Sequence, residues 1–169
     1  FSWGSGNFNP ANSNNFGVIL MSNNAGAITT SGWTGYFLKI GVDGSTDKIE
    51  LWKKNGGSGA GTKVGDFPSS PTVATGALKD GLNIRVTRSS SGVFTLYYST
   101  GFTYSSTPTT SAGSLTDNAI TTSSYFGIYQ IFGSPSTARR NYIDNVVLGT
   151  APTLNVSTTS VTAMDYIFG

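Results

Sequence analysis

The sequence predicts an all-β fold, an antiparallel two-sheet β-sandwich. Three observations carry this prediction: the composition, the presence of short alternating runs, and the way turn residues separate those runs. The 169 residues are 37% hydrophobic and only 11% charged, against roughly 25% charged in a typical soluble protein. Thr, Ser, Gly and Asn supply the remaining polarity, which suits strands and turns better than helices. No stretch shows the spacing of an amphipathic helix.

The individual strands follow from apolar runs bounded by turn residues. They are predicted at residues 16–21, 35–42, 48–54, 82–88, 93–99, 125–132 and 141–148. Turn-rich loops at 43–47, 89–92 and 133–136 separate three pairs of these strands, which predicts three hairpins. The glycine-rich stretch 56–61 is predicted as a flexible loop. The poorly patterned stretch 101–124 is predicted to hold an edge strand near Phe102–Tyr104 and a loop.

Alternation within the strands assigns their side chains to two faces. The aliphatic residues of the strands at 48–54, 82–88 and 93–99 share one phase, which predicts a buried face. The opposite phase carries Trp52, Arg85 and Tyr97, which are expected on one mixed face that meets solvent. The strand at 125–132 is apolar in both phases and is expected to be buried on both faces.

The pattern also predicts two units. Residues 1–149 are expected to form the sandwich, with an incomplete N-terminal strand, because Phe1-Ser2-Trp3 resembles the tail of a strand. Residues 150–169 are expected to be a linker and the first strand of a following module, which begins near Leu154. The first residues lack the charged and apolar regions of a signal peptide. Because a strand tail stands at Phe1 and a new module begins near Leu154, we expect the chain to be part of a longer protein.

Charge and residue content exclude several functions. The net charge is +2 and no basic run exceeds two residues, so the electrostatic footprint of a nucleic-acid-binding protein is absent. No apolar run is long enough to predict membrane insertion. The low charge and the lack of cysteine favour a secreted bacterial protein over a cytosolic one.

Catalysis is not expected. The chain has no histidine and no cysteine, so the usual triads and dyads cannot be assembled. A glycosidase needs two carboxyl groups across one cleft. Asp47 and Glu50 are the only close pair in sequence, and their odd spacing places them on opposite strand faces. The full set of carboxylates is Asp43, Asp47, Glu50, Asp66, Asp80, Asp117, Asp144 and Asp165.

The ordered set of strand motifs resembles a known family. The motifs are Phe16–Leu20 (FGVIL), Gly35–Gly41 (GYFLKIG), Asp47–Trp52 (DKIELW), Ile84–Arg88 (IRVTR), Tyr125–Ile128 (YFGI) and Tyr142–Val146 (YIDNV). In this order they resemble the concanavalin A-like (laminin-G-like) jelly-roll domains of large secreted Bacteroidetes proteins, over about residues 1–149. The tail at 152–158 resembles the start of an Ig-like module.

This resemblance implies a jelly roll that is cargo of the type IX secretion route, at the cell surface. Such domains are attached to adhesins, nucleases or glycan-degrading enzymes. The partners implied are therefore the neighbouring domains of a longer chain and, during export, the secretion machinery. The acidic strand of the glucanases that share this fold is absent from the sequence.

A carbohydrate site is the positive functional hypothesis. Sugars present apolar CH faces that stack on exposed aromatic rings, while polar groups fix their hydroxyls. The predicted residues are those of the mixed face and its rim: Trp52, Arg85, Tyr97, Lys54, Glu50 and, in the loop at 31–34, Trp33. The alternative is that these aromatic rings are covered by the opposing sheet or by the loop at 101–124.

A structural calcium ion is the second hypothesis, and no other cofactor is expected. The loop at 43–47 offers the carboxylates of Asp43 and Asp47, of the kind that calcium prefers. Asp144 resembles the C-terminal aspartate that binds a structural calcium in several jelly-roll carbohydrate modules. The alternatives are an ordinary turn at 43–47 and a strand-closing hydrogen bond at Asp144.

The sequence thus predicts a non-catalytic module of a secreted bacterial surface protein, with carbohydrate binding or adhesion as its role. Two alternatives stay open. One is a structural spacer in a large adhesin, with no ligand of its own. The other is an accessory domain of a secreted hydrolase whose catalytic domain lies elsewhere.

Overall fold

The computed structural model describes residues 1–6, 14–41, 48–72, 81–101, 107–132 and 140–149. These residues form ten strands and no helix. The strands are β1 (Ser2–Gly6), β2 (Asn14–Ser22), β3 (Thr34–Ile40), β4 (Glu50–Asn55), β5 (Thr62–Asp66), β6 (Leu82–Arg88), β7 (Val93–Thr100), β8 (Thr110–Thr116), β9 (Tyr125–Phe132) and β10 (Arg140–Asp144).

The strands form two antiparallel sheets that pack face to face. Sheet I has the order β10-β1-β6-β7-β8, and sheet II has the order β5-β4-β3-β2-β9. The prediction of an all-β, two-sheet sandwich is therefore confirmed. The arrangement is compatible with a jelly roll, in which consecutive strands repeatedly change sheet.

The main core lies between the two sheets and follows the alternation of the strands. Sheet I contributes Leu82, Ile84 and Leu96, and sheet II contributes Leu38 and Leu51, all essentially inaccessible. Burying an aliphatic side chain of this size contributes about 1.5–3 kcal/mol. The even-numbered residues of β4 and the odd-numbered residues of β6 and β7 consequently point away from the core.

The predicted strands agree with the observed ones. β6 and β9 have the predicted bounds, and the other bounds differ by at most two residues except at β10. That strand ends at Asp144 instead of the predicted Leu148. The following residue, Asn145, has a φ of 52°, a left-handed conformation that interrupts an extended strand.

Two of the three predicted hairpins are confirmed, and the third is wrong. β3 pairs with β4, and β6 pairs with β7. β9 pairs with β2 in sheet II, whereas β10 pairs with β1 in sheet I. The turn residues at 133–136 predicted a reversal, but local turn chemistry does not distinguish a hairpin from a connection that changes sheet.

Three strands were missed or misplaced by the sequence prediction. β1 extends to Gly6 and lies between β10 and β6. β5 and β8 are edge strands whose Thr, Ser and Gly residues give little apolar alternation. The edge strand predicted near Phe102–Tyr104 lies outside the described residues, as does the predicted second unit at 150–169. The glycine-rich residues 56–61 connect β4 to β5.

The prediction that β9 is buried on both faces is wrong for one face. Phe126 and Ile128 pack against the main core, but Tyr125 and Ile131 are 45% and 36% exposed. β9 is an edge strand of sheet II, and the side chains on its outer face are only partly buried.

Candidate functional site

The mixed face predicted from the sequence is divided between the two sheets. Trp52 is on β4 of sheet II, whereas Arg85 and Tyr97 are on β6 and β7 of sheet I. Because Leu51 and Ile84 point into the core between the sheets, Trp52 and Arg85 point to opposite outer surfaces. The expectation of one shared face is therefore wrong. Alternation fixes inside and outside for each strand, but it does not say to which sheet a strand belongs.

The outer surface of sheet II carries a second apolar cluster. Its buried members are Ile28, Trp33 and Phe37, and its partly buried members are Ile19, Trp52 and Tyr129. We call these six residues the outer cluster. Phe37 lies at its centre, with its ring centroid 5.9 Å from that of Trp33, 5.8 Å from that of Tyr129 and 6.3 Å from that of Trp52. Aromatic contacts of this kind hold the rings in defined orientations.

The loop that connects β2 to β3 covers one side of the outer cluster. Trp33 is the last residue of this loop and is fully buried, so its predicted position at an exposed rim is wrong. Lys54 is also buried, and its Nζ donates to the carbonyl oxygens of Ile28 (2.7 Å) and Thr30 (2.9 Å). Lys54 therefore anchors this loop rather than facing a ligand. A loop folding back over a sheet is a non-local event that strand patterning does not predict.

Trp52 remains partly exposed and is held by a chain of polar contacts. Its Nε1 donates to Glu50 Oε2 at 2.6 Å, and Lys63 Nζ lies 2.6 Å from Glu50 Oε1. Lys63 Nζ is also 2.6 Å from Asp66 Oδ1. Burial lowers the pKa of Lys63, but the hydrogen bonds to Asp66 and Glu50 outweigh this and raise it above the ordinary value.

These contacts also bring two carboxylates together. Glu50 and Asp66 are direct partners in the register of β4 and β5, although the sequence suggested that no two carboxylates share a face. The pairing of Glu50 with Asp66 was not expected because β5, the strand that carries Asp66, was not predicted. The ammonium of Lys63 bonds to both carboxylates, whereas a glycosidase needs that space open for the sugar and water.

Lys39 joins this site and was missed by the sequence reasoning. It is opposite Glu50 in the register of β3 and β4 and only 7% exposed. Its Nζ lies 3.9 Å from the centroid of the Trp52 ring. Burial lowers the pKa of Lys39, the charge of Glu50 raises it, and that of Lys63 lowers it, leaving it below the ordinary value. Its position between Leu38 and Ile40 was the available signal, because it places Lys39 in the outward phase.

A groove adjoins the outer cluster on the side of β9. It has a volume of about 520 Å³ and lies between the loop at 24–29 and β9, with Ile19, Tyr125, Tyr129 and Ile131 in its wall. Tyr129 also belongs to the outer cluster, so groove and cluster are continuous. The Tyr129 ring lies against Gly17, where a Cβ would come within 2.0 Å of the ring. A glycine on β2 therefore makes room for this wall.

The outer surface of sheet I presents a smaller feature. The guanidinium carbon of Arg85 lies 3.9 Å from the centroid of the Tyr97 ring. Arg85 Nε donates to the carbonyl oxygen of Pro108 at 3.1 Å. The pair combines one aromatic ring and one charge, but the guanidinium already covers a face of that ring.

The predicted calcium ligands gain no geometric support. Asp43 and Asp47 lie outside the described residues. Asp144 Oδ1 accepts a hydrogen bond from the backbone N–H of Asn145 at 2.7 Å, as the strand-closing alternative expects. Within the described ranges, no three acidic, histidine or cysteine side chains are grouped so that they could hold a metal ion.

Comparison of the chain with protein-family models, curated proteins and solved structures finds no match. In the part of the chain that the structure describes, no helix has the length and apolar character needed to cross a membrane.

Proposed function

We propose that this chain is a non-catalytic, carbohydrate-binding module of a secreted bacterial surface protein. Its saccharide binds on the outer surface of sheet II, at Trp52. The observation that carries the proposal is a partly exposed tryptophan ring held beside the charged groups of Glu50, Lys39 and Lys63, on the outer surface that also bears the groove along β9.

This arrangement suits the chemistry of a sugar. An aromatic ring matches the apolar CH face of a pyranose, and the charged side chains can bond to its hydroxyls. The hydrogen bond from Trp52 to Glu50 fixes the ring before any ligand arrives, which reduces the entropy lost on binding. The groove along β9 on the same outer surface, at about 520 Å³, lies within the size range of small-ligand sites.

The non-catalytic assignment is supported by residue content and geometry. The chain contains no histidine and no cysteine. The carboxylates of Glu50 and Asp66 are bridged by Lys63, whose ammonium group occupies the space between them. In the proposed role these groups bind and orient a sugar, and they break no bond.

The secreted location is proposed from composition and from the resemblance to Bacteroidetes jelly-roll domains. The low charge and absence of cysteine are compatible with an exported bacterial sandwich that depends on its core alone. Export by the type IX route and attachment to neighbouring adhesive or hydrolytic domains are part of this proposal.

A spacer domain is the second candidate, and one observation favours it. The Trp52 ring already stacks with Phe37 and carries Lys39 over a face, so the outer cluster has a stabilising role without a ligand. A spacer would retain this cluster as a second small core and bind nothing. An accessory domain of a hydrolase would share the proposed site.

A glycan array tests the proposal. We expect wild type to bind a set of related glycans, and Trp52→Ala to lose that binding while remaining folded. Tyr97→Ala is the matched control, because it removes an aromatic ring from the outer surface of the other sheet. Equal loss in both variants, or a folded wild type that binds no glycan, would contradict the proposal and favour the spacer.

A further inference from the structure

We propose that the saccharide bound at Trp52 is acidic, and that Lys39 binds its carboxylate or sulfate group. This inference rests on the proposed function, since it names the class of sugar that the same site accepts.

The first argument is that the Lys39 ammonium has no oxygen partner among the residues that the structure describes. Among the five lysines in the described ranges, the ammonium groups of Lys48, Lys53, Lys54 and Lys63 all donate to a carbonyl or carboxylate oxygen. Lys39 has no such contact in this part of the chain, although it is more than nine-tenths buried. Its contact is with the face of the Trp52 ring.

The second argument is that the nearest anion is already committed. Glu50 is the register partner of Lys39, but its Oε1 bonds to Lys63 and its Oε2 bonds to Trp52 Nε1. Glu50 therefore attracts the Lys39 ammonium at a distance without pairing with it. The Lys39 Nζ is not one of the fully buried, unpaired polar atoms of the described residues, so an arriving anion can reach it and would supply the partner that Glu50 does not.

The third argument concerns the strength of the competing contacts. An ammonium over an aromatic face gains about 0.5–2 kcal/mol, whereas a hydrogen bond between ions is shorter and roughly twice as strong as a neutral one. The flexible stem of a lysine lets its ammonium turn from the ring toward an anion. Burial lowers the pKa of Lys39, and a bound anion would raise it again.

The ammonium of Lys39 lies close enough to the Trp52 ring for one sugar to contact both. The ammonium and the indole ring of Trp52 are 3.9 Å apart, so one ligand can reach both. A pyranose against the exposed part of Trp52 would bring a ring substituent to Lys39. A carboxylate on the sugar ring and a sulfate ester on a hydroxyl both supply the anionic oxygen that this contact needs.

Two matched pairs of polysaccharides test the inference. The pairs are de-esterified against methyl-esterified polygalacturonate, and dextran sulfate against dextran. We expect wild type to bind at least one charged member at least about tenfold more tightly than its neutral partner, the effect of one charge-assisted hydrogen bond. Preference for polygalacturonate identifies a carboxylate ligand, and preference for dextran sulfate identifies a sulfate ligand.

Three variants separate Lys39 from general charge effects. Lys39→Met keeps the apolar stem over Trp52 and should abolish the preference, whereas Lys39→Arg should retain it. Arg85→Met removes the same charge from the other sheet and should leave the preference unchanged. Melting temperatures confirm that each variant is folded.

Three results would overturn the inference. The first is a neutral glycan whose binding is lost in Trp52→Ala, together with a charge preference that Lys39→Met leaves unchanged. The site would then be one for neutral sugars, and the proposed function would stand. If Arg85→Met weakens binding as much as Lys39→Met, the effect is one of net charge. If the folded wild type binds none of the four polysaccharides and no glycan on the array, the inference and the proposed function both fail.

Discussion

At the scale of single residues, burial separates the two tryptophans of the outer cluster. Trp33 is fully buried, whereas Trp52 is partly exposed. Alternation predicted the outward position of Trp52 and Glu50, because both lie in the polar phase of one strand. It did not predict that Trp33 and Lys54 are buried, because Trp33 lies in a loop outside the strand pattern and Lys54 is covered by that same loop, from a different part of the chain. Alternation places Lys39 outward between Leu38 and Ile40, but it does not show the non-local contact of Lys39 with the Trp52 ring.

The indole N–H of Trp33 provides a test at this scale. Its Nε1 is buried without a hydrogen-bond partner among the described residues, and an unsatisfied donor costs about 1–3 kcal/mol. Trp33→Ala should lower the free energy of unfolding by about 3–5 kcal/mol through the cavity it leaves. Trp33→Phe keeps an aromatic ring and removes the unsatisfied donor, so it should cost about 1 kcal/mol or less.

Urea denaturation of the two variants measures this difference. Trp52→Ala is the control and should cost less than Trp33→Ala, because part of its side chain already meets solvent. If Trp33→Phe were as destabilising as Trp33→Ala, the indole N–H would have a stabilising partner after all.

At the scale of elements, the strands with a clear apolar phase were predicted and the edge strands were not. β6 combines apolar Leu82 and Ile84 with polar Asn83 and Arg85, a pattern that fixes its bounds. Five of the seven residues of β8 are Thr, Ser or Gly, because an edge strand buries less surface. The segment at 117–124, which leads from β8 in sheet I to β9 in sheet II, gave no sequence signal either.

Asp117 fixes that segment to sheet II. Tyr36 Oη donates to Asp117 Oδ1 at 2.5 Å, and Lys53 Nζ donates to Oδ2. Burial raises the pKa of Asp117, but the hydrogen bonds from Lys53 and Tyr36 outweigh it and leave the pKa below the ordinary value. This ionised side chain therefore adds to the backbone contacts of the segment with sheet II, such as the hydrogen bond from the Ser124 N–H to the Ser22 carbonyl oxygen.

The lowered pKa of Asp117 predicts a loss of stability in acid. A carboxylate whose pKa is lower in the folded state stabilises the fold above the ordinary carboxyl pKa of about 3.9, and this contribution disappears as the pH falls through the folded value. Asp117→Asn should reduce the unfolding free energy at pH 7 by about 2 kcal/mol and make it less dependent on pH below about 4.

Unfolding free energies measured from pH 7 to pH 2 test this prediction. Asp66→Asn is the control, because the Asp66 side chain is 47% exposed and such ion pairs contribute less than about 1 kcal/mol. An Asp117→Asn variant with wild-type stability at pH 7 and a wild-type acid response would show that the segment is held in another way.

At the scale of the whole molecule, the sandwich presents two outer surfaces that differ in chemistry. Sheet II carries the outer cluster with Trp52, Lys39 and the groove, while sheet I carries the Arg85–Tyr97 pair. The sequence predicted the sandwich because alternation and turns are local properties. It did not predict which strands share a sheet, since that depends on long-range pairing, and it therefore merged two separate surfaces into one.

Tryptophan fluorescence tests the central claim that a saccharide binds at Trp52. Of the three tryptophans, Trp3 and Trp33 are fully buried, so quenching by acrylamide reports mainly on Trp52. We expect a saccharide selected on the array to protect the wild-type fluorescence from acrylamide, and Trp52→Phe to show little quenching with or without it. Saturating saccharide that leaves acrylamide quenching unchanged would contradict the claim and place the binding site elsewhere on the molecule.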